Sequence, residues 1–245
     1  MDYNKLKEKK DLFNKNKHLL GNGALENYTI DFDVNFTHSS TAIEGNTLSL
    51  KETKLLIEDK VSVGAKKLRE IYEVVNHDKA WQYAKEKVNS GNDLSEEIIK
   101  GIHRILMDNI EKGGEYRNMD LIITGAKHKP PSHFIVRYEI DNFYNTLKNN
   151  DFDEITLAAY THGEFVKIHP FSDGNGRTSR IIMNYQLIQG GFLPIFIKVE
   201  EKEYYYDILD EYAANNNLNP FIEFIFKLEE KQIDFYLKQI EFIKN

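Results

Sequence analysis

The sequence of 245 residues contains no cysteine. That excludes disulfides and thiolate metal sites and fits a reducing cytoplasm. Proline is scarce, with five in the chain, so little interrupts helix formation. No apolar run approaches the roughly 20 residues needed to span a bilayer. The lysine-rich start, Lys5 to Lys17, has no apolar stretch after it. It reads as a solvated helix face or frayed terminus rather than a signal peptide or anchor. Positive charge is in deficit, the net charge being −7, which argues against general affinity for nucleic acid or anionic membrane. No internal repeat is visible.

What is there is 41% apolar and 29% charged, ordinary for a soluble globular protein. The length can bury a core as one large domain or two small ones. Most of the chain has helical periodicity, so the expected class is all-α. Ser49 to Glu52 forms a capping box ahead of Leu55, Leu56 and Ile57. The segment 68–88 places Leu68, Ile71, Val74, Ala80, Trp81 and Ala84 at helical spacing. Ser95 opens a helix that Gly113-Gly114 is expected to close. Tyr138 to Leu147 and Ile155 to Val166 read as further helices. Asn219-Pro220 starts the last one, whose Phe and Ile residues continue from Phe221 to Ile243. That stripe is core or, in part, the surface of a homodimer.

Residues 169–180 read His-Pro-Phe-Ser-Asp-Gly-Asn-Gly-Arg-Thr-Ser-Arg. A periodic run follows, ending at Gly190-Gly191, so the dodecapeptide is a loop opening into a helix, two to three residues beyond the preceding helix. Amides at a helix N-terminus suit a phosphate. Arg177 and Arg180, at i and i+3, share a face and would grip neighbouring phosphates of a polyphosphate. Asp173 is a hard oxygen ligand of the kind a phosphate-bridging Mg²⁺ needs. His169 is the one group there able to take up a proton near neutral pH.

The dodecapeptide resembles the signature of the Fic family, His-Pro-Phe-x-Asp/Glu-Gly-Asn-Gly-Arg-x-x-Arg, at every fixed position. The resemblance implies a helical-bundle Fic fold with a small β-hairpin flap, and transfer of AMP from ATP to a hydroxyl of a target protein or of the enzyme itself. His169 would deprotonate that hydroxyl, Asp173 would hold Mg²⁺, and Asn175 would contact the α-phosphate. Gly174 and Gly176 would offer amides to the phosphates; Arg177 and Arg180 would hold the outer ones, with Thr178 and Ser179 in the same turn. A phosphate-transferring branch has Ala and Lys where this chain has Gly174 and Gly176, so the glycines favour nucleotidyl transfer.

Ser40-Thr-Ala-Ile-Glu44-Gly45 resembles the family's inhibitory motif, which implies a Glu44–Arg180 ion pair and an inhibitory helix over about 36–46. Ser40 and Glu44 are one helical turn apart. Residues 117–136 correspond to the flap, with Ile123, Thr124, Gly125 and Ala126 pairing with the target segment. Tyr205, Tyr206 and Leu209 match the family's adenine contacts, although Ala213 stands in the register of the Asn that follows. The expected division is 1–90, bearing the inhibitor, and 91–245, the catalytic core. His38, His128, His133 and His162 are assigned no chemistry, and Glu164 and Lys167 read as solvated charges. A bacterial cytoplasmic enzyme is the expectation. Three alternatives stay open: removal of AMP using Glu44, transfer of another group, and a regulatory ATP-binding module with negligible catalysis.

Overall fold

The computed structural model describes residues 1–123 and 128–244. Its helices are α1 (Tyr3–Asn16), α2 (Asn22–Ile43), α3 (Leu50–Ile57), α4 (Leu68–Asn89), α5 (Glu96–Leu106), α6 (His133–Lys148), α7 (Glu154–Ile168), α8 (Asn175–Gln189), α9 (Lys202–Asn215) and α10 (Asn219–Lys244). No strand occurs among the described residues. The class is all-α, as the periodicity implied. Local chemistry explains several helix starts. Ser49 and Glu52 form the reciprocal capping box before α3, Ser95 caps α5, and Asp153 caps α7 through Thr156 N–H.

Two large apolar clusters, and a small one of Leu48, Leu56 and Val74 under α3, hold the helices together. One large cluster joins Leu6 and Phe13 of α1 and Ile43 of α2 to α7, α8, α9 and α10. The other large cluster joins Phe32 and Phe36 of α2 and Trp81 of α4 to α5, α6, α7 and α8. Each large cluster draws residues from both sides of position 90. The most extensive helix pairing is α7 on α8, and the loop between them carries residues 169–174. The apolar stripe of α10 is largely spent inside the chain: Phe221, Phe224, Ile225, Ile233, Tyr236 and Ile240 are buried. The motive the stripe gave for a dimer is thereby reduced to Phe235, Phe242 and Ile243, which remain exposed.

Several boundaries differ from expectation. The segment expected to be the inhibitory helix is the end of the long helix α2, which stops at Ile43. Glu44 is its C-cap and Gly45, at φ 97°, turns the chain away. Helix α5 ends at Leu106, seven residues before Gly113. That glycine is needed for contact, because a Cβ would lie 2.7 Å from Arg104 Cα and 2.8 Å from the His103 carbonyl oxygen. Helix α6 begins at His133, inside the span expected for the flap. The rest of that span, 117–123 and 128–132, has no ladder. Pro130 and Pro131 lack N–H groups, and Arg117 takes the carbonyls of Met119 (2.9 Å) and Pro131 (2.5 Å) through Nη1 and Nη2. Of the four flap positions, Thr124, Gly125 and Ala126 lie outside the described residues. No helix among the described residues is long and apolar enough to cross a membrane.

Candidate active site

His169 is itself the C-cap of α7, in the left-handed conformation at φ 51°. The chain therefore reverses at this residue, and its imidazole faces a cavity of about 420 Å³ shared with Glu44, Gly176, Arg180, Tyr206 and Leu209. Its Nδ1 is 3.3 Å from the Val166 carbonyl. A carbonyl only accepts, so Nδ1 carries the proton and Nε2 the lone pair. Burial pushes the His169 pKa down to about 4, against a smaller upward pull from the Val166 bond. Titration near neutral pH was the expectation; the buried ring is instead neutral there, with its base form already present.

The loop ahead of α8 is braced from within. Asn175 accepts from Phe171 N–H (2.9 Å) and donates to the Phe171 carbonyl (2.8 Å), so its side chain closes the bend. Gly174 is the N-cap at φ 76°, with no side chain capping the first amides. Those amides suit an anion. Thr178 and Ser179 are fully buried; Ser179 Oγ donates to the Gly176 carbonyl (2.8 Å), whereas Thr178 Oγ1 has no hydrogen-bond partner. Arg177 is buried too, giving Nη2 to Asp173 Oδ1 at 3.1 Å. Its Nε and Nη1 have no hydrogen-bond partner. A buried guanidinium with two such groups fits a phosphate.

Every nitrogen of Arg180 is engaged, through four of its five N–H groups. Nε donates to Ser40 Oγ (2.9 Å), Nη1 to Tyr205 Oη (3.3 Å), and Nη2 to the Ser40 carbonyl (2.8 Å) and to Glu44 Oε1 (2.7 Å). Burial alone would lower its pKa, but the Tyr205 oxygen and the Glu44 carboxylate outweigh that and hold it above the ordinary range. Ser40 and Glu44 thus meet the same guanidinium although Glu44 lies just past the helix. The Glu44 carboxylate also lies against Gly176, where any Cβ would collide with its Oε1. Tyr205, expected against adenine, is buried and donates to His162 Nε2 at 2.8 Å, so it braces Arg180. It still lines the cavity together with Tyr206 and Leu209.

Asp173 accepts from Gly174 N–H (2.5 Å) and Arg177 through Oδ1, and from Arg69 through Oδ2. Burial raises its pKa, yet Arg177, the Gly174 amide and Arg69 together bring it below the ordinary value. Among the described residues no cluster of three or more His, Asp or Glu side chains could hold a metal by itself. A lone carboxylate beside a phosphate site fits Mg²⁺, which takes one or two protein ligands and completes its shell with phosphate and water.

Three further residues went unseen in the sequence. His103 of α5 stacks on Phe171 at 3.6 Å between ring centroids. It accepts Gly114 N–H at Nδ1 (2.8 Å), so Nε2 carries the proton that reaches the Asp173 carbonyl (2.9 Å). Arg117 is buried, and its Nε donates to the His169 carbonyl (2.8 Å). Arg69 comes from α4, 104 residues from Asp173. None carries a motif of its own; a polar side chain inside an apolar helical face, as at His103, was the one available signal.

Residues 93–187 match the model of the Fic/DOC family. The chain belongs to that family. It is 33% identical over 222 residues to "Protein adenylyltransferase Fic" of Aedes aegypti, covering 88% of this chain and 44% of the relative. It thus spans under half the length of that curated relative. The solved structure of Fic-1 from C. elegans superimposes with a TM-score of 0.82 at 29% identity, over 97% of this chain and 72% of that one. A Fic-domain signalling protein from Bacteroides thetaiotaomicron gives 0.82 at 26%, over 95% and 96%. Relatives in insects as well as bacteria leave the expectation of a bacterial source without support.

Proposed function

We propose that this Fic-domain chain is a protein adenylyltransferase, moving AMP from ATP to a Ser, Thr or Tyr hydroxyl of a target protein or of itself, and that Glu44 holds it at rest. The observation that carries the reading is the Glu44 carboxylate on Arg180 and against Gly176. An acidic side chain fills the anion position at the start of α8. The name of the Aedes relative supports the chemistry. Arg177, whose Nε and Nη1 make no hydrogen bond, and the amides of α8 would hold the phosphates. Asp173 would hold Mg²⁺, whose charge offsets theirs. Tyr206 and Leu209 would flank the base. His169 Nε2 takes the proton of the hydroxyl as its oxygen bonds to the α-phosphorus. The bond from that phosphorus to the bridging oxygen breaks, and pyrophosphate leaves. Fixed donors facing the developing charge supply most of the catalysis in such transfers. The segment around Ile123 and His128 would lie over this cavity as the flap, pairing with the target's main chain.

Glu44 at rest occupies the Arg180 Nη2 donor that an outer phosphate would take. Glu44→Gly should raise incorporation of label from α-³²P-ATP into protein by at least about tenfold, the factor that some 1.4 kcal/mol corresponds to. Arg180→Ala in that background should cancel the gain. An unchanged rate in Glu44→Gly, with activity still lost in His169→Ala, would falsify the resting-state reading. Removal of AMP is a second reading, favoured by Glu44 lining the cavity beside His169. Release of AMP from a modified protein, lost in Glu44→Gly, would identify it. A binding module would need no neutral imidazole in the cavity; ATP binding without labelling, in the parent and in Glu44→Gly alike, would favour that module reading.

A further inference from the structure

We propose that Arg69 is a resident cation on the metal-binding oxygen of Asp173: its guanidinium stands in the place of a divalent ion, and metal loading displaces it. The inference rests on the reading of Asp173 as the metal ligand. The two oxygens of that carboxylate are held in different ways. Oδ1 accepts from the Gly174 amide and from Arg177, both within four residues on the same loop and helix start. Oδ2 accepts from Arg69 Nη2, which arrives from α4. The bonds to Oδ1 define the loop and would survive ligand binding. Oδ2 is the oxygen an entering cation can take, and Arg69 is what it must move.

The two arginines differ in how readily they can leave. The Arg177 side chain is 3% exposed and the Arg69 side chain 52%. A half-exposed guanidinium swings into water at little cost, since its charge is already largely solvated. Arg69 also has somewhere to stay. Its Nε lies 3.1 Å from Glu73 Oε1, one helical turn on. Glu73 in turn accepts from Asn46 Nδ2 at 2.9 Å, two residues past Glu44, so the tether is fixed to the segment that carries the inhibitory carboxylate. A displaced Arg69 remains on the wall of the site. The arrangement keeps the Asp173 carboxylate neutralised while no metal is bound. It also makes metal entry an exchange of one cation for another.

The test uses Mn²⁺ alone as probe, without nucleotide, followed by water-proton relaxation enhancement on the full chain. Arg69→Ala removes a competitor, and an exposed ion pair of this type corresponds to a tightening of Mn²⁺ binding by about threefold or more. Arg69→Lys keeps the charge but loses the planar fork, and should fall between parent and Arg69→Ala. Asp173→Asn should abolish the site. Any result in which Arg69→Ala binds Mn²⁺ no more tightly than the parent overturns the proposal. If Asp173→Asn binds Mn²⁺ as the parent does, the assignment of Asp173 falls as well. If only Arg69→Ala is without effect, Asp173 stands and the role of Arg69 alone is lost.

Discussion

The lone pair on His169 Nε2 exists at neutral pH because burial keeps the ring unprotonated, with a pKa near 4. A base with a lowered pKa is active above that value and fails only as pH falls through it. The acid limb of the kcat/KM profile for the Glu44→Gly enzyme should therefore lie well below 6.5, the ordinary imidazole value. A limb centred near 6.5 would show that the imidazole is solvated when it works. His169, Asp173, Arg180 and Glu44 were legible as residue types because each has one chemical task and a fixed place in a short motif. Their partners were not. Arg117, whose guanidinium donates to the carbonyls of His169, Met119 and Pro131, makes its hydrogen bonds to main chain, which any sequence offers. Asn175 was read toward a phosphate, but its amide matches both polar groups of Phe171. Sequence order cannot distinguish a ligand contact from a brace four residues back.

Elements with local start signals were legible: the capping box of α3, the Ser95 cap and the Asn219-Pro220 start all stand where they were read. Ends and irregular segments were less so. Helix α2 begins at Asn22, far upstream of the inhibitory motif, because after Gly23 in its first turn no Gly or Pro follows before Ile43 and its Phe32 and Phe36 pack on Trp81. The Gly113-Gly114 pair looked like a helix stop, but Gly113 is there so that its loop can lie on the backbone of α5. Gly113→Ala should cost about 1–3 kcal/mol, as overpacking against fixed backbone does, read as a lower urea midpoint. It should also disturb His103, which takes the Gly114 amide, and through it the Asp173 carbonyl. A midpoint equal to the parent's would mean that the loop yields freely.

At the scale of the molecule, both large apolar clusters close around neutral histidines. His162 and His103 have pKa values lowered to about 3 and about 4, chiefly by burial, and His77 is depressed well below its ordinary value for the same reason. With His169 these four bind protons in the unfolded chain near pH 6.5 but resist them in the folded one. Between pH 6.5 and about 4 the unfolded state holds more protons, so stability falls as pH drops, by up to about 1.4 kcal/mol per pH unit for each histidine. Urea midpoints at pH 7 and pH 5 should differ sharply, and His77→Gln or His162→Gln should flatten the difference. A midpoint unchanged between the two pH values would show that these rings are protonated within the fold.

The contact between Glu44 and Arg180 also bears on how long the protein lasts. Arg180 is among the largest fully buried side chains in the chain, and Glu44 is the carboxylate that balances it. When Glu44 withdraws, a buried positive charge is left without a counter-ion, which is among the costlier defects an interior can hold. The phosphates of a bound nucleotide are the natural replacement. If Glu44 holds the enzyme at rest as proposed, the working form is the fragile one when empty, durable only while nucleotide fills the site, and a cell short of ATP would lose the unleashed enzyme to proteolysis before the resting one.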